Sequence, residues 1–146
     1  MASVVSINIS KEKGTIKNTI DKGNFIEKFG LENDAHGGNW HRQVSLLAKE
    51  SIDKMRDKGI ALNPGIFAEN ITTEGIELYT LPVGTKIRIG DTIHEVTQIG
   101  KTCHAACEIR KIIGDCIMPR EGIFTKVLKS GKIKIGNDIE IIDNEA

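Results

Sequence analysis

Short runs in which an aliphatic residue alternates with a polar one, each cut off by a glycine-bearing turn, do most to limit what this chain can fold into. From Ser3 to Ile9, Val5, Ile7 and Ile9 alternate with Ser6 and Asn8, the period of a half-buried strand. Lys11 to Gly14 then reads as a turn and Thr15 to Ile20 as the return strand of a hairpin. Further strands are predicted over Gln43 to Leu47, Glu69 to Thr73, several pieces of Leu81 to Glu95, Ile123 to Leu128, Lys132 to Ile135 and Asp138 to Ile142. Gly84, Gly90-Asp91, Ser130-Gly131 and Gly136-Asn137 supply the reversals. Gly84-Thr85-Lys86-Ile87-Arg88-Ile89-Gly90-Asp91 and Gly131-Lys132-Ile133-Lys134-Ile135-Gly136-Asn137-Asp138 show the same hairpin pattern twice, too briefly to imply duplication.

Two helices interrupt this pattern. Lys49 to Lys58 places Leu47, Ser51, Ile52 and Met55 on one face, with Gly59 as a left-handed cap, and Ala105 to Ile113 spaces Ile109, Ile112 and Ile113 helically. Many short strands with few helices predict a mainly β, α+β chain, a closed β-barrel that removes its own edges. The exception is Asp21 to Gly38, which has no clean period and carries Gly23, Gly30, Gly37 and Gly38; it reads as a long loop with short pieces of structure. Loops of that length are more often functional than idle.

A chain of 146 residues has room for one domain, taken as residues 1–146. Lys and Arg number 20 and Asp and Glu 20, so no net charge is available to neutralise nucleic-acid phosphates or to coat an anionic membrane. No apolar run approaches the roughly 20 residues that span a bilayer, and Met1 to Ser10 lacks the features of a secretory signal. A cytoplasmic protein is expected. Its oligomeric state is left open.

Against this plain background the three cysteines stand out, because Cys103, Cys107 and Cys116 all fall within 14 residues. They sit in Lys101-Thr102-Cys103-His104-Ala105-Ala106-Cys107-Glu108-Ile109-Arg110-Lys111 and the following Asp115-Cys116-Ile117-Met118-Pro119-Arg120-Glu121-Gly122. If a helix starts there, Cys103 and Cys107 share a face one turn apart. A thiol at a helix start beside Lys or Arg has its thiolate favoured, which suits a nucleophile or a soft-metal ligand. Burial is the plainer alternative, since free Cys is among the most buried side chains. Three thiols and His104 also make a zinc-ligand inventory, although eight residues between Cys107 and Cys116 do not fit the usual paired knuckles.

A second cluster, Asn33-Asp34-Ala35-His36-Gly37-Gly38-Asn39-Trp40-His41-Arg42-Gln43, looks like a binding loop that holds the only Trp. A third contains Asn70, whose amide can present a donor and an acceptor to a heterocycle, or can close its own turn. Lys101, Arg110, Lys111, Arg120 and Lys126 could hold a phosphate, or simply form a solvated face.

The order of these pieces resembles the MOSC domain, found at the C-terminus of molybdenum cofactor sulfurases. The resemblance is carried by Asp34-Ala35-His36 with Gly38 and His41-Arg42-Gln43-Val44-Ser45-Leu46-Leu47, then Phe67-Ala68-Glu69-Asn70-Ile71, Leu81-Pro82-Val83-Gly84-Thr85 and Val96-Thr97-Gln98-Ile99-Gly100-Lys101. It continues through Cys103-His104 and Cys107 to Gly122-Ile123-Phe124-Thr125-Lys126-Val127, and ends with Gly131 and Ile135-Gly136. The resemblance implies a stand-alone domain with a closed barrel of the MOSC or pyruvate-kinase-barrel type. It also implies a cysteine that binds molybdenum cofactor (molybdopterin) or carries sulfur as a persulfide for metal-sulfur centre or molybdoenzyme assembly.

Place before the Gly-Ile-Phe strand points to Cys107 as that cysteine, also as metal ligand, with Cys116 and then Cys103 as runners-up. Asp34, His36, Arg42, Asn70, Lys101, His104, Arg110 and Arg120 are the expected cofactor-binding residues. Sulfur donor and acceptor proteins are the implied partners. Pyridoxal phosphate belongs to the sulfurase's other domain, for which this chain has no room, so no sulfur-generating activity is expected. Two alternatives accompany this reading: a small molybdoenzyme that reduces N-hydroxylated compounds with an external electron donor, and a zinc-stabilised interaction domain.

Overall fold

A computed structural model describes residues 2–12, 16–35, 37–54, 65, 67–100 and 118–142. In chain order these hold β1 (Ser3–Ile9), β2 (Asn18–Ile20), β3 (Lys22–Ile26), β4 (Gly30–Leu31), β5 (Val44–Ala48), α1 (Lys49–Asp53), β6 (Ile71–Glu74), a 3-10 turn (Leu78–Thr80), β7 (Lys86–Ile89), β8 (Thr92–Ile99), α2 (Met118–Glu121), β9 (Ile123–Lys129), β10 (Gly131–Lys134) and β11 (Ile139–Ile142). The mainly β expectation holds; burial alternates along β7 and most of β8, while in β1 the polar Ser6 and Asn8 are buried beside Ile7, and Val5 and Ile9 are only half-buried.

The strands make an eight-stranded sheet, β11-β7-β8-β9-β5-β6-β1-β2, and a three-stranded sheet, β10-β3-β4. Among the described residues no sheet closes, so the closed barrel expected from the sequence is not seen as a continuous ladder. Its two flanks are nevertheless stitched together. The Val4 N–H donates to Asn137 O at 2.9 Å, Gly136 N–H to Val4 O at 2.8 Å and Ile139 N–H to Ala2 O at 3.0 Å, around one bridge between Ser3 and Asp138. The seam is short: it is made by the turn before β11, through Gly136 and Asn137, and by the first residue of β11.

Pairing departs from the local pattern in two places. The first glycine-bounded repeat is a hairpin, with Lys86 opposite Glu95 and Ile89 opposite Thr92. The second is not, since β10 pairs with β3 and β11 with β7. Identical local grammar thus gives different partners, because turn residues set where a strand ends and not which neighbour it meets. The long stretch from Asp21 to Gly38 is also more ordered than expected: β3 and β4 pair within it, and Phe25 and Leu31 are fully buried.

One apolar core unites both sheets. Ile7, Phe25, Leu46, Ile71, Ile87, Ile89, Val96, Ile123 and Ile133 are all completely buried in it. Strand β5 is buried along its whole length, between antiparallel β9 and parallel β6. A parallel pair needs a crossover, and α1 begins it, with Ser51 and Ile52 buried as the helical spacing predicts. The helix is described only to Asp53, so Met55, Lys58 and the Gly59 cap lie outside the described residues, as does the expected helix from Ala105 to Ile113.

Backbone crowding fixes one turn. Gly65 has φ +90°, and a Cβ there would sit 2.5 Å from Lys17 O, while its carbonyl accepts from Lys17 N–H at 2.9 Å. Gly65→Ala is therefore expected to cost about 1–3 kcal/mol, read by urea denaturation. A cost within a few tenths of a kcal/mol would contradict this close approach.

Candidate functional site

Two polar networks lie inside the fold. In the first, the Lys17 ammonium donates to Asp34 Oδ1 at 2.8 Å and to Ser10 Oγ at 2.9 Å, and the Ser10 N–H donates to the same Asp34 oxygen at 3.0 Å. Both charged side chains are fully buried. Asp34, an expected cofactor residue, thus spends one carboxylate oxygen on pinning the β1 exit and the approach to β2.

The second network runs between β1, β5 and the approach to β6. Asn8 Nδ2 donates to Glu69 O and Thr72 Oγ1, and Asn8 Oδ1 accepts from Ser6 Oγ at 2.6 Å and Thr19 Oγ1 at 3.0 Å. Glu69 accepts from Thr72 Oγ1 at 2.7 Å and from the Gly65 and Phe67 N–H groups. Burial pushes the Glu69 carboxyl up from its ordinary range, against these donors, which pull it down. Asn70 is wholly buried: its Oδ1 accepts from Ser45 N–H at 3.0 Å and lies 3.2 Å from Ser45 Oγ, and its Nδ2 donates to Asn8 O. Its amide closes β5 against the approach to β6, the plainer of the two roles the sequence leaves open.

A different arrangement gathers on the outer face of β8 and β9. The chain from Asn39 to Gln43 runs across it. Gln43 Oε1 accepts from the Val127 N–H at 3.0 Å, and His41 Nε2 is 2.9 Å from Gln98 Oε1. Thr97 is the extra residue where the β8–β9 register slips between Val96 and Gln98. That bulge puts its hydroxyl within reach of the His41 carbonyl and, at 3.1 Å, of the Phe124 carbonyl. Arg42 lies between two rings, its guanidinium carbon 4.7 Å from the Trp40 centroid and 5.5 Å from that of Phe124. Its Nε is buried and has no hydrogen-bond partner among the described residues.

The same region adjoins the chain's thiols in sequence. Gln98 Nε2 donates to Gly100 O at 2.8 Å, and the Gly100 N–H donates to Gly122 O at 2.7 Å. In sequence the three cysteines lie between Gly100, which is tied through Gln98 to His41, and α2, and Gly100 is joined to Gly122, the residue after α2. Cys103, Cys107, Cys116, Lys101, His104, Arg110 and His36 themselves lie outside the described residues. Arg120 is exposed on α2, next to Glu121, which accepts from Ser51 Oγ at 2.6 Å and Lys54 Nζ at 2.9 Å and so fastens α2 to α1. Among the described residues no three His, Cys, Asp or Glu side chains converge as metal ligands, and no helix is long and apolar enough to cross a membrane.

Sequence reasoning finds His41, Arg42 and Trp40 as a loop, but not the Arg42 sandwich, the role of Gln98, or the Lys17 partner of Asp34. β8 and β9 supply the Arg42 and Gln98 contacts, whereas Lys17 meets Asp34 beside the β1 exit, and Ile16-Lys17-Asn18 carries no signal of a buried charge.

No curated protein matches the chain by sequence. Solved structures do match the fold. YuaD from Bacillus subtilis is 20% identical, with 97% of this chain and 96% of that one covered and a TM-score of 0.73. YiiM from Geobacillus stearothermophilus is 20% identical over 98% of this chain and 76% of that one (TM-score 0.76), and YiiM from Escherichia coli 18% identical over 100% and 72% (TM-score 0.72). The family pattern described as MOSC domain matches residues 32–140, a span that runs from the Asp34 loop, through the Arg42 sandwich and the tethered cysteine segment, to β11. The chain belongs to the MOSC domain family.

Proposed function

We propose that this chain is a module that binds molybdenum cofactor or carries sulfur as a persulfide, with Cys107 as its thiolate and other proteins as donor and acceptor. The observation that supports it most is the buried, unpartnered Arg42 Nε, in a loop tied through His41 and Gln98 to the point where the cysteine-bearing segment departs. A buried guanidinium N–H without an acceptor is costly unless a ligand supplies one. The phosphate and carbonyl oxygens of molybdopterin are acceptors of that kind.

The residues fit the cofactor in this sense: Arg42 would hold an anionic edge, the thiols would supply a soft ligand, and the cofactor, when bound, supplies a metal able to exchange sulfur ligands. Chain length alone keeps Cys107, seven residues on, within about 25 Å of Gly100. In persulfide carriage the Cys107 thiolate would attack the outer sulfur of a donor persulfide. The new S–S bond forms on Cys107 as the donor's own S–S bond breaks, and the donor leaves as a thiolate. Arg110 and Lys101, as cations near Cys107 in sequence, would favour the thiolate that begins this exchange.

The test is anaerobic binding of isolated molybdenum cofactor, reading co-retained molybdenum and pterin. Cys107→Ser is expected to abolish retention, with Cys103→Ser and Cys116→Ser close to wild type. Arg42→Ala is expected to weaken it about tenfold, the usual worth of a charged hydrogen bond. Full retention by Cys107→Ser would refute the assignment of the thiolate.

A further inference from the structure

A cleft of about 410 Å³ lies beside the Arg42 sandwich, on the outer face of β9, and the thiol chemistry leaves it unused. Its size is within the range of small-molecule sites. Glu27 and Lys28 from the β3–β4 turn, Asn39 and Trp40 from the crossing loop, Thr97 from the β8 bulge and Lys126 from β9 line it. Four elements thus converge on it, and its aromatic wall is held in place from the Arg42 side by the stacked guanidinium.

The charges are arranged unusually. The Glu27 carboxylate and the Lys28 ammonium have no side-chain partner among the described residues. Among the described residues Lys126 has only Glu95, 3.8 Å away on the neighbouring strand, a separation that binds it weakly. Lys28 sits at φ +67°, a left-handed conformation uncommon for a lysine, in the turn that sets it beside Glu27 on the same cleft. One carboxylate, two ammonium groups and an indole on one surface suit a ligand that combines hydrogen-bond donors, an aromatic ring and an anion.

We propose that this cleft binds a purine monophosphate of the guanine type. The ring lies against Trp40, the amide and amine donors of the guanine edge face Glu27, and the phosphate faces Lys28 and Lys126. Adenine offers a carboxylate no such paired donors. The site uses none of the cysteines, so its failure leaves the thiolate assignment intact, and the reverse also holds.

Trp40 is the only Trp, so its fluorescence reports directly on the cleft. The probes are GMP, AMP, guanosine and inorganic phosphate, added to the full chain. Saturable quenching by GMP is expected, with AMP at least about tenfold weaker, as for loss of a charged hydrogen-bonded pair. The Lys28→Ala, Lys126→Ala double variant is expected to weaken GMP about tenfold and leave guanosine unchanged, and Glu27→Ala to erase the preference over AMP. All three side chains are exposed or half-buried, so circular dichroism and unfolding should match wild type. No saturable response to GMP below about 1 mM would overturn the proposal. So would equal binding of AMP, or unchanged GMP affinity in the double lysine variant.

Discussion

Replacing Lys17 by Met is expected to cost about 3–5 kcal/mol of folding stability, as when one partner of a buried ion pair is removed. Both side chains are sealed from water, so Asp34 would be left as a buried carboxylate that has lost its ammonium and keeps the Ser10 N–H on Oδ1. The second variant separates the value of the pair from the cost of breaking it. Lys17→Met with Asp34→Leu removes both charges, and should recover most of the loss, because apolar replacement of a buried pair is often neutral or better. Urea unfolding of the three proteins reads this as midpoints at constant slope. A Lys17→Met loss below about 1 kcal/mol, the range of surface pairs, would mean that water reaches the pair. The predicted recovery also bears on function: if Asp34 only pins the strands, the double variant should keep whatever the Arg42 region binds.

Stability is expected to fall steeply with acid, from His94. Its imidazole is fully buried, with Nδ1 2.9 Å from Thr125 Oγ1 and Nε2 2.8 Å from Thr92 Oγ1. The Thr92 hydroxyl spends its one proton on Ile89 O, so it accepts from Nε2–H, and Nδ1 accepts from Thr125. This neutral ring is fully satisfied. Burial lowers its pKa from the ordinary 6.5 to about 3. The unfolded chain therefore takes up a proton that the folded one refuses. Stability from this group is complete above about pH 6.5 and is lost as pH falls towards 3, at up to about 1.4 kcal/mol per pH unit. Between pH 6 and 5 few carboxylates titrate, so the slope there belongs largely to histidine. His94→Gln is expected to start less stable at pH 7 and to lose most of that slope. An unchanged slope in the variant would assign the acid sensitivity to other groups.

Glu69 acts with the opposite sign. Its raised carboxyl favours the folded state at low pH and loses that contribution as pH rises through its folded value. The protein is thus squeezed from both sides by two buried titratable groups, only one of which, His94, sits on a strand whose alternation marks it as inward-facing.

Most strands were legible in the sequence as short apolar-polar runs between glycine-bearing turns, but β3 and β4 were not, because the stretch from Asp21 to Gly38 has no clean period. Lys86 to Ile89 reads directly as one buried face, whereas Ser6 and Asn8, the polar members of the Val5 to Ile9 alternation, are buried beside Ile7, and Ile123, Phe124 and Thr125 are buried in succession. The ordered motifs from Asp34 to Gly136 were legible as a family pattern, which the match over residues 32–140 shows. Tertiary structure decided the pairing, since hydrogen-bonding groups are the same along every strand and the turn between Ile135 and Asp138 does not say that β10 goes to β3 and β11 to β7. It also decided which polar residues are structural. Asn70 and Asp34 look like ligands in one dimension, and the fold encloses their amide and carboxylate among partners up to 62 residues away in sequence. Arg42 has the same composition-level signal, yet stacks between Trp40 and Phe124 with one nitrogen left over. Burial and partnering are properties of neighbours in space, and those neighbours exist only once long-range strand pairing has brought them together.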